Sequence, residues 1–184
     1  MTTLKTYFEN GLTTEAYIDH MQVNKEDMQA IYDQFELPED ERLSQIKDKH
    51  LKAIVITEDW CGDAMMNIPV LLKIAEQIAM DVRFVLRDEN LDLMDQYLTN
   101  GTARSIPIFV FLDEDHHQTT VWGPRAQKVQ DLVTELRSDL PDKEDPTFEE
   151  KSKEKHQVIH ETYKNSPELW QEVYQSIIER LTHA

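Results

Sequence analysis

The chain has 184 residues, 36 of them acidic and 19 basic, for a formal net charge of -17, with 40% hydrophobic content and no low-complexity tract. That surplus of carboxylates repels nucleic acid phosphates and anionic lipid surfaces, which are bound by clustered Lys and Arg, so neither is expected as a partner. The length suits one core with appended helices rather than two cores. No apolar run approaches the ~20 residues of a membrane span, and Met1-Thr2-Thr3-Leu4-Lys5 lacks the apolar stretch of a secretion signal, which leads to the expectation of a cytoplasmic protein. The lone cysteine, Cys61, agrees with a reducing compartment and excludes an internal disulfide.

From the N-terminus, Leu4, Tyr7, Phe8, Leu12, Tyr17, Ile18 and Met21 have helical spacing interrupted by Asn10-Gly11, which predicts two short helices or one broken one. Met28, Ile31, Tyr32 and Phe35 share a face of a helix over 24–35, for which Asn24 with Glu26 and Asp27 is the expected capped start. Leu37-Pro38 ends it. A charged stretch to His50 follows, with Leu43 and Ile46 as inward anchors and Lys47, Lys49 and His50 in its last turn.

Ala53-Ile54-Val55-Ile56 then reads as a buried strand, and Met66, Val70, Ile74 and Ile78 as one face of a helix over 65–80. Between them lies Thr57-Glu58-Asp59-Trp60-Cys61-Gly62-Asp63-Ala64, so Cys61 sits where a strand hands over to a helix. Free N–H groups and the dipole at a helix start favour a thiolate, whereas Glu58, Asp59 and Asp63 oppose one. Asp63 falls in the first turn, where an acid serves a capping or dipole role.

Beyond the helix, residues 82–87 read as a strand and 91–98 as a helix closed by Asn100-Gly101. The nearly all-apolar 106–112 reads as a central strand, 118–122 as its antiparallel return, and 125–140 as a helix after the break at Gly123-Pro124. The tail opens with the charged linker Pro141 to Pro146. Residues 147–164 are too polar to fold unaided, with Phe148, Val158, Ile159 and Tyr163 as a narrow stripe. A second tail helix, started by Ser166-Pro167, presents Leu169, Trp170, Val173, Ile177, Ile178 and Leu181 to some surface, taken to be its own core.

Trp60-Cys61-Gly62 after an apolar strand, Pro69 eight residues past the cysteine, and Ser105-Ile106-Pro107 opening another apolar strand resemble the thioredoxin family, over roughly Lys52 to Leu140. The wording TEDWCGDA, with RDEN and LTNG…RSIP downstream, is similar to a bacterial branch of thioredoxin-like proteins. The resemblance implies an α/β thioredoxin-like fold: a central mixed sheet flanked by helices, here with an N-terminal helical extension over 1–50, the core over 51–140, and charged linker and helices over 141–184. It implies a cis bond before Pro107, with that proline facing Cys61, and a groove for a partner's extended backbone walled by Trp60 and Ile106.

Two departures limit the transfer of activity. The family's second cysteine is replaced by Ala64, and its buried carboxylate six residues before the first cysteine is Val55. Dithiol chemistry with an internal resolving thiol is therefore excluded. What remains is a monothiol protein in which Cys61 is catalytic and Trp60, Gly62, Asp63, Ala64, Ile106, Pro107 and Arg87 bind substrate, with a protein or low-molecular-weight thiol as partner. The alternative is a redox-inactive binding module using the groove beside Pro107. A third reading, a glutathione-dependent or cluster-binding protein resembling monothiol glutaredoxins, is opposed by the acidic Glu58-Asp59. The chain is read as a monomer or weak dimer.

Arg87, at a strand's C-terminal end, is placed either to hold an anion near Cys61 or in a plain salt bridge. Trp122 reads as core. His116 and His117 read as a solvated turn, and His156 and His160, four apart without a third ligand, do not make a metal site. No cofactor is called for.

Overall fold

The computed structural model describes residues 2–184. Its centre is a four-stranded mixed sheet in the order β2-β1-β3-β4, built from β1 (Lys52–Thr57), β2 (Asp81–Leu86), β3 (Ile108–Leu112) and β4 (Gln118–Trp122). β1 runs parallel to β2 and antiparallel to β3, which is antiparallel to β4. Ile54, Val55 and Ile56 of β1 and all of β3 are buried, as expected of strands covered on both faces.

The N-terminal segment forms α1 (Leu4–Asn10), α2 (Thr14–His20), α3 (Lys25–Gln34) and α4 (Arg42–Lys47). Its break at Asn10-Gly11 yields two helices, with Thr3 and Thr13 capping their starts through their hydroxyls. Between them, Leu12 exchanges both backbone hydrogen bonds with Phe84 at 2.8 Å, so a single-residue antiparallel bridge stands on the free edge of β2. Asn24 does not cap α3: its backbone is left-handed and its amide instead donates to the Asp59 carbonyl at 3.2 Å.

α5 (Gly62–Ile78) follows β1 and is buried along most of its length, against α3, α4 and the C-terminal helices. Pro69 lies inside it and withholds one N–H from the ladder. The segment after β2 is less helical than its pattern predicts: a 3-10 turn over Arg87–Glu89 precedes the four-residue α6 (Leu91–Met94), and the chain then turns. α7 is Gln127–Leu136.

The polar stretch after the linker is helical throughout, as α8 (Phe148–Asn165), and α9 (Pro167–Thr182) follows it. α9 buries Trp170, Val173, Tyr174, Ile177, Ile178 and Leu181 against α4, α5, α7 and β4. Burying a large apolar side chain contributes about 1.5–3 kcal/mol, so this face anchors the tail and brings α8 within reach of α5 and α7. No helix of the described residues is long and apolar enough to cross a membrane.

Candidate functional site

Cys61 is the N-cap residue of α5, with an extended backbone, and Gly62 begins the helix. The Ile106–Pro107 peptide bond is cis, and the Cys61 thiol donates to the Ile106 carbonyl at 3.3 Å. The strand-to-helix junction thus meets the start of β3 at one sulfur atom. Gly123 holds this corner from the other side: its φ is +133°, and a Cβ there would lie 2.3 Å from the Pro107 carbonyl oxygen, so only glycine fits.

The thiol is buried, although it stands at a helix start, where a thiolate is favoured. Cys61 retains 8% exposure, and burial, followed by the charge of Asp63, pushes its pKa up to about 11. The backbone N–H groups of Ala64 and Asp63, and then Arg125, pull in the opposite direction without prevailing. At neutral pH the sulfur is a thiol donor, not a thiolate.

Asp63 lies in the first turn of α5 but caps nothing. One of its carboxylate oxygens, Oδ1, accepts from Arg125 Nε at 2.9 Å and from the Tyr163 hydroxyl at 2.7 Å. Tyr163 is buried near the end of α8, so a single carboxylate ties together α5, the segment after β4 and the C-terminal extension. Burial and the adjacent carboxylate keep the Tyr163 phenol protonated far above the usual tyrosine range. Arg125 is placed in turn by Asn67, whose buried amide donates to the Pro124 carbonyl at 2.9 Å while its Oδ1 is left without a partner.

Trp60 is 50% exposed and lies under the guanidinium of Arg87, whose carbon is 5.0 Å from the ring centroid. Arg87 also pairs with Asp88 at 3.0 Å and donates to the Arg104 carbonyl at 3.0 Å. Ile106, Pro107 and Ala64 are buried, so of the expected groove walls only Trp60 presents a broad surface. Glu58 and Asp59 are occupied by the backbone. Glu58 accepts from the Asp88 N–H at 2.9 Å, and Asp59 accepts from Gln22 and Val23 at 2.8 and 3.2 Å. Val55, in the place of the family's acid, is buried in β1.

Beside Cys61 opens a cleft of about 850 Å³ between α5, α7 and α8, lined among others by Trp60, Gly62, Asp63, Arg125, Arg137, His156 and Tyr163. Arg125 and Tyr163 were not singled out as site residues from sequence. The signals were slight: an Arg just after Gly123-Pro124, and a Tyr on a narrow stripe.

His156 and His160 line the cleft beside Cys61, but among the described residues no histidine is hydrogen-bonded to the sulfur, whose partner is the Ile106 carbonyl. His156 contacts Arg137, and His160 lies 2.9 Å from Asp27. His116 sits edge-on to Phe8, and Trp122 is core, donating to Ser176 at 2.8 Å. Among the described residues, Asp113, Asp115 and His117 have ligand-type atoms within 4.8 Å of one another, but Asp113 Oδ1 already accepts the backbone N–H groups of Asp115 and His117.

Comparison with known proteins bears on the fold. A crystal structure of a protein of unknown function from Pseudomonas aeruginosa matches over 96% of this chain and 98% of its own, at 17% identity and a TM-score of 0.63. An HIV epitope-scaffold matches over 100% and 99%, at 15% identity and a TM-score of 0.69. No curated protein matches the chain. A thioredoxin family model matches residues 11–137, from just before β2's bridging residue Leu12 to the end of α7, and the chain therefore belongs to the thioredoxin family.

Proposed function

We propose that this thioredoxin-family protein is a redox-silent binding module, which takes an extended stretch of a protein partner in the groove beside Trp60 and Pro107 while Cys61 stays a protonated thiol. The observation that supports it is the placement of the sulfur: buried, beside the Asp63 carboxylate, with its proton donated to the Ile106 carbonyl at 3.3 Å. Since the thiolate is the nucleophile, a thiol held this way exchanges slowly at neutral pH. The exposed Trp60 face, stacked by Arg87, supplies the apolar contact a binding groove needs. Such a module suits a cytoplasmic protein acting as a monomer or weak dimer.

The second reading, a monothiol oxidoreductase, draws on the N–H groups of Asp63 and Ala64 aimed at the sulfur and on the cleft that reaches it. In that reaction the Cys61 thiolate attacks a disulfide R–S–S–R′ and forms Cys61–S–S–R. The released R′–S⁻ takes up a proton, and an external thiol later frees Cys61. The two are separated by incubating the full chain with the small aromatic disulfide 5,5′-dithiobis(2-nitrobenzoate) at pH 7. The binding-module reading expects the intact mass to remain unmodified over hours, whereas prompt formation of the Cys61 adduct overturns it in favour of exchange.

A further inference from the structure

We propose that the cleft between α7 and α8 is a binding site for a small organic anion, a carboxylate or a phosphate ester, whose acid group is held by Arg137 and His156 and whose apolar body lies toward Trp60. This goes beyond the partner groove and holds whether or not Cys61 ever exchanges. The first ground is charge. The chain carries -17 overall, yet among the residues lining this cleft Asp63 is the sole acid, beside the two arginines Arg125 and Arg137. Asp63 is already consumed, taking Arg125 Nε at 2.9 Å and the Tyr163 hydroxyl at 2.7 Å.

Arg137 is different. It takes part in none of the ion pairs among the described residues. Its guanidinium donates only to His156 Nε2, at 3.4 Å. In a protein so rich in carboxylates, a half-buried arginine with no acid beside it leaves most of a five-donor fork free. That fork matches carboxylate and phosphate oxygens.

The second ground is shape. A cleft of about 850 Å³ is within the size range of small-molecule sites and too small for a folded partner. Its wall includes Ile159, the exposed indole of Trp60 and the buried Cys61. The chain's long-range negative field opposes an anion, but at physiological salt it is screened beyond about 8 Å, so the local arginine decides. α8, half of the cleft's frame, lies beyond the segment matched by the family model.

The test is titration of the full chain with phenyl phosphate and with hippurate, followed by backbone amide shifts, with the neutral hippuramide as control. Saturable shifts confined to α7, α8 and the Trp60–Asp63 segment with either anion, absent with hippuramide, support the site, and the anion that binds identifies the acid class. Arg137→Gln should weaken binding about tenfold or more. Lys128→Gln, on the helix whose end Arg137 caps but paired with Glu172 outside the cleft, should leave it unchanged. No saturable shift with either anion, shifts elsewhere, or equal affinity in Arg137→Gln would overturn the proposal. Unaltered amide spectra of the free variants establish that they are folded.

Discussion

Replacing Tyr163 by Phe removes one hydroxyl from the Asp63 junction and leaves the ring packing in place. That hydroxyl donates at 2.7 Å to an ionised acceptor, and hydrogen bonds to charged groups net about 1.5–3 kcal/mol. Asp63 keeps Arg125, which argues against the top of that range, but its side chain is only 13% exposed, which argues against the bottom, so the expected loss is about 2 kcal/mol. For a chain of this length each kcal/mol moves the melting temperature by about 2–4 °C, giving a drop of about 4–8 °C. Asp63→Ala should cost more, about 3–4 kcal/mol, because it strands both donors, although Arg125 at 26% side-chain exposure can still reach water. Urea unfolding followed by circular dichroism, in a double-mutant cycle, measures the coupling, expected at about 1–2 kcal/mol. A Tyr163→Phe variant within about 0.5 kcal/mol of the parent, or fully additive losses, would refute the claim that this carboxylate fastens α8 to α5.

Three further outcomes follow from the same geometry. Folding raises the Cys61 pKa from 9.0 to about 11, so the folded state holds this proton more tightly. Its contribution is complete below about pH 9 and is lost as pH rises to about 11. Stability should fall by about 3 kcal/mol across that window, and Cys61→Ala should flatten the fall, as measured by urea midpoints against pH. Gly123→Ala places a Cβ against the Pro107 carbonyl at a φ of +133° and should destabilise by about 3 kcal/mol or more in the same assay. Gly62→Ala, whose new Cβ meets nothing nearer than Tyr163 at 4.0 Å, serves as the tolerated contrast. Ala64→Cys restores the two-cysteine spacing on the first turn of α5 and should form an internal disulfide on mild oxidation, detected as a loss of two hydrogens in the intact mass. Persistence of both thiols would mean that the turn does not bring the sulfurs together.

Much of the fold was legible because its strongest signals are periodic. The apolar runs that became β1, β2 and β3 and the stripes of α5 and α9 are each longer than one turn of accident. The weak spots were those where partners outside the segment decide the outcome. α8 is too polar to form by itself, yet it is helical because Tyr163 and Ile159 dock beside the cleft. The helix expected over 91–98 shrank to α6, which buries Leu93 and Met94, and the chain turns before Tyr97 packs against the core. Asn24 lost its capping role to a contact with the Asp59 backbone, 35 residues away.

At the site, Cys61, Pro107 and Trp60 announced themselves through local motifs, but the protonation of the sulfur did not. It depends on burial and on a carboxylate whose partners come from distant elements, and no window around Cys61 contains Arg125 or Tyr163. The unpaired Arg137 was equally silent, since a lone arginine in an acidic sequence reads as one more surface ion pair.

The pH dependence of Cys61 alkylation in the full chain, read with iodoacetamide and mass spectrometry, tests the central claim most directly. The midpoint should lie near 11, where burial and Asp63 have placed it. A midpoint below ~8.5 would mean an exposed thiolate at the head of α5, and a working nucleophile in place of a silent groove.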